Sequence, residues 1–512
     1  MRLQRLKIEK FKNLRDFEIT FDQDSPYTVL VGQNGSGKSN LFEAILAIFD
    51  SLEDQVSPGF VYALQYACRG YKVLIEYPGS GPISFTFGNA NGTPVVDRYQ
   101  IQQLGNFERH LLPEFVFGYY SGLCGRFEHY FATHSRRYTV AARGARPGEG
   151  VRRRFLYGSL SYTEFVLIAL WAHSFREDRP SCVLDALDVK AVDDILLTIK
   201  PAKRYDPNVD TPLSMGLKGL VREFVAELDL AAEGVPSASG TGRKMRQEYR
   251  YRQDGLMQLA EFAEKRNTNL FDLLLETQRE GALGRISCSI SLRNGDRISV
   301  DDLSEGEKQL LLVMGMLRFA EHDEALFLLD EPDTHLNPRW SLSYIDMIEE
   351  ELGHAPKSHI IMATHDPLVL TDLKASQVRI LRRGRGARPV TASPPYADPK
   401  EMGVDGLLTS ELFDLSAPIG TEVQKMIYER TVLLGKGDKR TTKETQDMQD
   451  LSQKLDRMGF AKVFDDPIYT QFVTAMGKRP EFMKPMLTPE EMAAQEDYAS
   501  QVLDEIMEGE GE

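Results

Sequence analysis

The sequence predicts an α/β fold in which a P-loop head with a parallel sheet is interrupted by a mostly helical insertion and followed by a mostly helical extension. Three observations predict it. First, Gly32-Gln33-Asn34-Gly35-Ser36-Gly37-Lys38-Ser39 stands between the apolar run Tyr27–Val31 and a segment whose Leu41, Ala44, Ile45, Ile48, Phe49 and Leu52 recur at helical spacing. A glycine loop that follows a strand and opens a helix is the context of a phosphate-binding loop. Second, Ala325–Leu329 and Ile360–Thr364 are uniformly apolar, as expected of parallel strands covered on both faces. Third, no sustained heptad pattern lies between Asp50 and Asp301, which argues against a long coiled-coil arm.

Each element follows from local pattern. Leu6 and Ile8, then Phe17, Ile19 and Phe21, alternate at the period of half-buried strands before Tyr27–Val31. Residues 71–119 alternate between Pro/Gly turns and predict a β-rich subdomain. From about 156 to 280 helical spacing dominates, in Ser161–Phe175 and Gly216–Ala232 above all, with the Gly/Ser/Pro loop Glu233–Gly242 between. Strands return at Arg285–Leu292 and Arg297–Val300, and Pro389–Pro399 reads as a linker. These patterns divide the chain into an N-terminal lobe (1–130), an insertion (131–284), a C-terminal lobe (285–390) and an extension (391–512).

Composition narrows the function. With 42% hydrophobic and 27% charged residues the chain is globular, and its longest apolar runs, Phe165–Ala172 and Leu310–Leu317, fall far short of a membrane span. Cys68, Cys124, Cys182 and Cys288 are far apart, which fits a reducing cytoplasm and no disulfide framework. The H-x4-H pairs His129/His134 and His354/His359 lack nearby cysteines, so no metal centre is expected there. The net charge of −15 is uneven: residues 488–512 hold nine carboxylates and no Lys or Arg. Basic stretches oppose it at Arg136–Arg154, at Arg243–Arg252 with Tyr249 and Tyr251 interleaved, and at Arg379–Arg388. Arg152, Arg153, Arg154, Arg246 and Arg250 are therefore candidate contacts to a nucleic-acid backbone.

In the P-loop, Gly32, Gly35 and Gly37 let successive N–H groups point at phosphates, aided by the helix dipole. Asn34 to Ser39 and Asn40 make the ATP-contact set. Lys38 carries the charge for the β- and γ-phosphates, and Ser39 offers Mg²⁺ an oxygen. Ser304 and Glu307 form an S-x-x-E capping box.

Taken together, the P-loop, Leu303-Ser304-Glu305-Gly306-Glu307-Lys308-Gln309, Asp330-Glu331 and Thr364-His365-Asp366 resemble the ATPase head of the ABC superfamily. That resemblance implies a homodimer closed through its heads, or a higher oligomer. Ser304, Glu305, Gly306 and Glu307 would meet the γ-phosphate held by the other copy. It further implies that Asp330 holds Mg²⁺ with Ser39, that Glu331 polarises the attacking water, and that His365 senses the γ-phosphate. Asp333 would line the interface, and Lys12 would be a basic nucleotide contact. Tyr120-Ser121-Gly122 stands where a lid glutamine is expected, so no residue takes that role.

The Glu331–Pro338 sequence and the missing coiled coil are similar to the compact RecF/OLD-like branch. Val432–Asp438 is superficially similar to a Toprim opening strand but lacks its glutamate, and no Asp-x-Asp follows. Any nuclease is thus expected in a partner. More narrowly, Leu111–Pro113, Tyr119–Gly122, Gly216–Phe224, Phe327–Pro338 and Glu422–Phe460 resemble the ATPase subunits of Septu-type anti-phage systems, the retron-associated form in particular. The resemblance implies an ATP-dependent cytoplasmic regulator of a separate HNH nuclease. A reverse transcriptase with its multicopy single-stranded DNA would hold it in check. A RecF-like DNA-repair ATPase is the alternative. A self-sufficient OLD-like nuclease and a transporter subunit fit less well.

Overall fold

A computed structural model describes residues 1–512 apart from 90–94, 100–108, 123–124, 177–178, 207–214, 322, 354–356, 385–388, 414, 416–419, 437–439, 459–493, 496–497 and 503–512. Cys124, His354, Arg385, Arg388, Asp438 and most of the acidic tail lie outside the described residues. The chain divides into two compact units, Met1–Phe413 and Asp414–Glu512. Among the described residues no helix is long and apolar enough to cross a membrane.

The first unit begins with β1 (Arg2–Phe11), β2 (Leu14–Thr20) and β3 (Tyr27–Val31), followed by α1 (Lys38–Asp54). Then come β4 (Tyr62–Cys68), β5 (Tyr71–Tyr77), β6 (Ile83–Asn89), β7 (Val95–Tyr99) and β8 (Phe115–Tyr120). The insertion carries α2 (Glu128–Gly144), β9 (Phe155–Tyr157), α3 (Thr163–Arg176), α4 (Cys182–Ala186), β10 (Val189–Ile199), α5 (Gly219–Ala231), β11 (Ser237–Ser239), β12 (Arg246–Tyr251), α6 (Gln253–Glu264) and α7 (Leu270–Arg279). After β13 (Leu283–Leu292) and β14 (Arg297–Ser299) follow α8 (Glu305–Phe319), β15 (Ala325–Asp330), α9 (Pro338–Leu342), α10 (Tyr344–Leu352), β16 (His359–Ala363), β17 (Val378–Arg382), β18 (Thr391–Ser393) and α11 (Gly403–Thr409).

The central sheet runs β18-β17-β3-β16-β15-β8-β9, with β17, β3, β16, β15, β8 and β9 parallel and β18 antiparallel at one edge. Its inner strands β3, β16 and β15 are buried on both faces, and period-two alternation assigns the two faces to different cores. In β15, Ala325, Phe327 and Leu329 join the insertion helices and α8 in one cluster. Leu326 and Leu328 join α1 and the antiparallel sheet in the other. That second sheet, β2-β1-β4-β5-β6-β7, covers α1 from outside. This is why α1 is buried on nearly all sides rather than along one stripe.

The insertion has the expected helices and, in addition, a strand-rich face. β10 pairs with β12 and β13 in the five-stranded sheet β11-β12-β10-β13-β14. Asp193-Asp194 breaks the alternation in the sequence; in the structure it marks a register shift, with Asp194 at φ 48°. An extra residue at such a bulge flips the phase of the pattern and hides the strand.

In the second unit, α12 (Thr421–Gly435) and α13 (Thr442–Arg457) are helices packed together. Residues 432–435 therefore close a helix, and the likeness of that stretch to a Toprim strand does not extend to its conformation.

Candidate functional site

The site is built where β3, β15 and β16 end side by side. Beyond β3, Gly32 has φ 155°, and a Cβ there would lie 2.3 Å from the Leu381 carbonyl oxygen. Gly35 and Gly37 have φ 77° and 111°, a region that favours glycine. Gly37 is the N-cap of α1, and no side chain caps that helix. Its first-turn N–H groups thus present the positive end of the dipole to the loop. Asn13 braces the turn, donating to the Gly35 carbonyl at 3.2 Å and accepting from Asn40 Nδ2 at 2.5 Å.

Lys38 is buried, and its Nζ donates to the Gly32 carbonyl at 2.6 Å and lies 2.9 Å from His365 Nε2. Burial pulls its pKa down while Asp330 and Glu331 pull it up. His365 is held below its ordinary value by burial and by Lys38. The imidazole is therefore neutral, with Nε2 accepting from the ammonium, and the 3.3 Å approach to Glu331 Oε1 is not a salt bridge in this state. A phosphate that drew Lys38 away would leave Nε2 facing it, able to donate once the proton sits on Nε2 in the other neutral tautomer.

Asp330 ends β15, is buried, and accepts from the Ser39 hydroxyl. Burial pushes its carboxyl up to about 6. Among the described residues its Oδ2 has no partner, nor does Ser36 Oγ. A hydroxyl beside a carboxylate with one unsatisfied buried oxygen is a donor set that suits a hard divalent cation, so Ser39 and Asp330 fit Mg²⁺. Glu331 sits at φ 56°, a strained conformation for a non-glycine residue. It is fixed by its N–H on the Ala363 carbonyl at 2.9 Å and by Gln309 Nε2 on its own carbonyl at 3.3 Å. Asp333 is buried and accepts from the Thr364 hydroxyl.

Asn34 to Asn40, Glu331 and His365 line one depression of about 130 Å³. That is below the ~300–1,000 Å³ of enclosed small-molecule pockets, and its size and open form fit one face of a shared site. Ser304, Glu305, Gly306 and Glu307 do not line it. Ser304 caps α8, accepting from Glu307 N–H at 3.3 Å, while Glu307 Oε2 accepts from Ser304 N–H at 2.6 Å. Ser304 and Glu305 are exposed. A Cβ on Gly306 would come within 2.2 Å of the His335 carbonyl oxygen, so glycine lets the turn after Glu331 close onto α8.

Lys12, at φ 53°, pairs with the buried Glu43 of α1. Arg126 pairs with the same carboxylate at 2.8 Å, donates to Asn40 Oδ1, and lines the depression. Sequence reasoning missed Arg126, which belongs to no motif. Arg383 was counted only in a basic stretch, yet its guanidinium approaches Gly35.

The nucleic-acid candidates separate sharply. Arg153 is buried, bonded to Asp272 at 2.6 Å and Glu276 at 3.2 Å, and lies 3.9 Å over the Tyr138 ring. It cannot meet a nucleic-acid backbone, which corrects the expectation drawn from its charge. Arg152 pairs with Asp323 and Glu114, and Arg154 with Glu53, so both are already engaged. Arg379 is buried against backbone carbonyls. Arg250 is exposed on β12; Arg246, half-buried on the same strand, donates to the Met245 carbonyl at 2.7 Å. Tyr249 and Tyr251 point into the core instead, so they offer no stacking platform. His134 stacks on Phe155 and bonds Asp50 at 2.7 Å, while Asp54 pairs with Arg137; these contacts tie α2 to α1.

Comparison with known proteins finds matches to two segments of the chain. Residues 1–78 match a family model described as "AAA ATPase domain", and residues 243–371 one described as "AAA domain, putative AbiEii toxin, Type IV TA system". The solved SMC head domain from Thermotoga maritima aligns over 77% of this chain and 99% of its own, with 15% identity and a TM-score of 0.33. The retron Vc95 probable ATPase of Vibrio cholerae serotype O1 biovar El Tor is 29% identical over 166 residues, 30% of this chain. Septu protein PtuA of Bacillus mycoides (strain KBAB4) is 28% identical over 169 residues, 31% of this chain. These matches span 32% and 23% of the two relatives' own lengths. The chain is thus similar to AAA ATPase family models in residues 1–78 and 243–371 and, over about a third of its length, to ATPases named from retron and Septu systems.

Proposed function

We propose that this chain hydrolyses ATP with Mg²⁺ between two copies of its head, and that closing and reopening regulates a partner in anti-phage defence. One observation carries the reading. Lys38, Ser39, Asp330, Glu331 and His365 converge on one half-site, while Ser304 and Glu305, at the capped start of α8, stand exposed outside it. A helix N-terminus aimed outward supplies what the half-site lacks, provided a second copy brings it.

Lys38 and the loop N–H groups hold the phosphates, and Ser39 and Asp330 hold the cation, which neutralises charge developing on the phosphates. Glu331 orients water, and His365 Nε2 meets the γ-phosphate. The similarity to retron and Septu ATPases supports an HNH nuclease as the regulated partner, with a reverse transcriptase and its multicopy single-stranded DNA as the restraint. Arg246 and Arg250 are the remaining candidates for nucleic-acid contact.

The test is turnover and assembly with the native neighbours. Glu331→Gln is expected to lower hydrolysis roughly 10²–10³-fold, the scale of removing one group that acts on the transition state, and to accumulate an ATP-bound dimer. Lys38→Ala should lose nucleotide. Normal turnover by Glu331→Gln would remove the role given to that carboxylate. Purification with host DNA and no nuclease would favour a RecF-like repair role instead.

A further inference from the structure

Among the described residues that line the depression, Arg126 is the one arginine, and no motif supplies it. It sits between β8 and α2, on the segment by which the insertion leaves the head. β8 lies in register with β15, Tyr120 opposite Asp330, and Ser121 N–H donates to the Asp330 carbonyl at 3.2 Å. Ser121 is thus the residue beside the cation-binding carboxylate, but its side chain is short. The side chain that reaches the depression comes five residues later.

Arg126 is held there by its surroundings. Phe127, next in the chain, is fully buried, with its ring 6.3 Å from Phe42 and 5.5 Å from Tyr120. Arg126 Nε and Nη2 take Glu43 and Asn40, residues of the same helix that the P-loop opens. Among the described residues no partner falls to Nη1, and the side chain retains 29% exposure. A guanidinium fixed on two nitrogens, on a side chain that lines a phosphate-binding depression, is arranged for a charge-assisted hydrogen bond to an anion.

We propose that Arg126 contacts the terminal phosphate of ATP bound to its own P-loop and passes the nucleotide state to α2. It stands near the segment Tyr120-Ser121-Gly122, where a lid glutamine is expected and no residue takes that role. Because Arg126 immediately precedes Phe127 and α2, a shift of its guanidinium toward phosphate moves the start of the helix that anchors the insertion. The competing role is a staple: Arg126 would only neutralise Glu43 beside Lys12.

This inference rests on the nucleotide reading above, and one experiment separates the two. ATP and ADP affinities are measured with Mg²⁺ for the full chain and for Arg126→Gln and Arg126→Lys, alongside hydrogen exchange of residues 128–144. The expected result for Arg126→Gln is a roughly ten- to hundredfold loss for ATP, the worth of one hydrogen bond to a charged group, with ADP binding unchanged. ATP-induced protection of residues 128–144 should vanish, and Arg126→Lys should restore part of both. Equal losses for ATP and ADP, or no loss for either, would overturn the proposal and leave the staple. Failure of the unmodified chain to bind either nucleotide would instead sink the nucleotide reading. If Arg126→Gln does not fold, Glu43→Gln takes its place. That variant frees Arg126 from its carboxylate and should keep the preference for ATP; loss of the preference there, with ADP binding intact, would overturn the proposal.

Discussion

The P-loop region and the Arg152–Arg154 stretch both draw attention as polar clusters, and their environments differ in one respect. Around the P-loop the polar groups are incomplete: among the described residues Asp330 Oδ2 and Ser36 Oγ are buried without partners, and Glu331 is strained. Around Arg152–Arg154 each guanidinium already has one or two carboxylates. Buried polar atoms left unsatisfied are costly unless something else completes them. Arg153 Nη1 and Glu276 Oε1 also lack a partner among the described residues, so what marks a joint there is not complete hydrogen bonding but that each charge is already matched by its opposite. Arg153 joins α7 to the segment before β9, and Arg154 joins that segment to α1.

The largest expected effect tests the joint. Arg153→Met would leave Asp272 and Glu276 facing each other with no cation, and breaking a buried pair in this way costs about 3–5 kcal/mol. Denaturant unfolding should show that loss, with affinity for nucleic acid changed only as far as the folded fraction changes. A variant of normal stability with weakened nucleic-acid binding would reverse the assignment.

How much of this was legible beforehand depended on whether a residue's meaning is local. The P-loop, the β15 and β16 runs and the capping box each carry their context within a few neighbours, and the structure places them as expected. The fate of Arg153 is not local: Asp272 and Glu276 lie more than a hundred positions away, and nothing in a run of arginines says that it will be buried. Arg126 was missed for the converse reason, since a lone arginine acquires its meaning only when the segment after β8 folds back on α1. Gly306 was read as part of a phosphate motif, and only its approach to the His335 carbonyl reveals its packing role.

Asp333 belongs to the incomplete region and gives it a pH signature. Burial, with smaller contributions from Asp366 and Glu331, pushes its carboxyl up to about 7, against the opposing hydrogen bond from Thr364. The folded state therefore holds this proton more tightly than the unfolded chain does. Linkage then gives the sign: the favourable contribution is present below the ordinary carboxylate range and is lost as pH rises from about 4 through about 7. Asp333→Asn is an uncharged isostere that can still accept from Thr364. It should stabilise the protein at pH 8 and be neutral at pH 4. Each pH unit is worth about 1.4 kcal/mol, so the gain is at most about 4 kcal/mol. Unfolding at the two pH values checks this, and an equal effect at both would show that Asp333 does not titrate in that window.

The smallest effect on stability is expected at Arg250, and there the comparison becomes sharpest. It lies on β12 with its side chain in solvent, next to the buried Tyr249 and Tyr251. Arg250→Glu removes no packing, so stability should change by no more than about 0.5 kcal/mol. If this strand contacts a nucleic-acid backbone, the same change must weaken binding, and its salt dependence should flatten by about one ion per lost phosphate contact. Unchanged affinity and unchanged salt slope would make β12 a solvated face. A charge reversal that alters binding while leaving the fold alone is what Arg153 cannot give. Set beside Arg153→Met, Arg250→Glu therefore tells an arginine that holds the protein together from one that reaches beyond it.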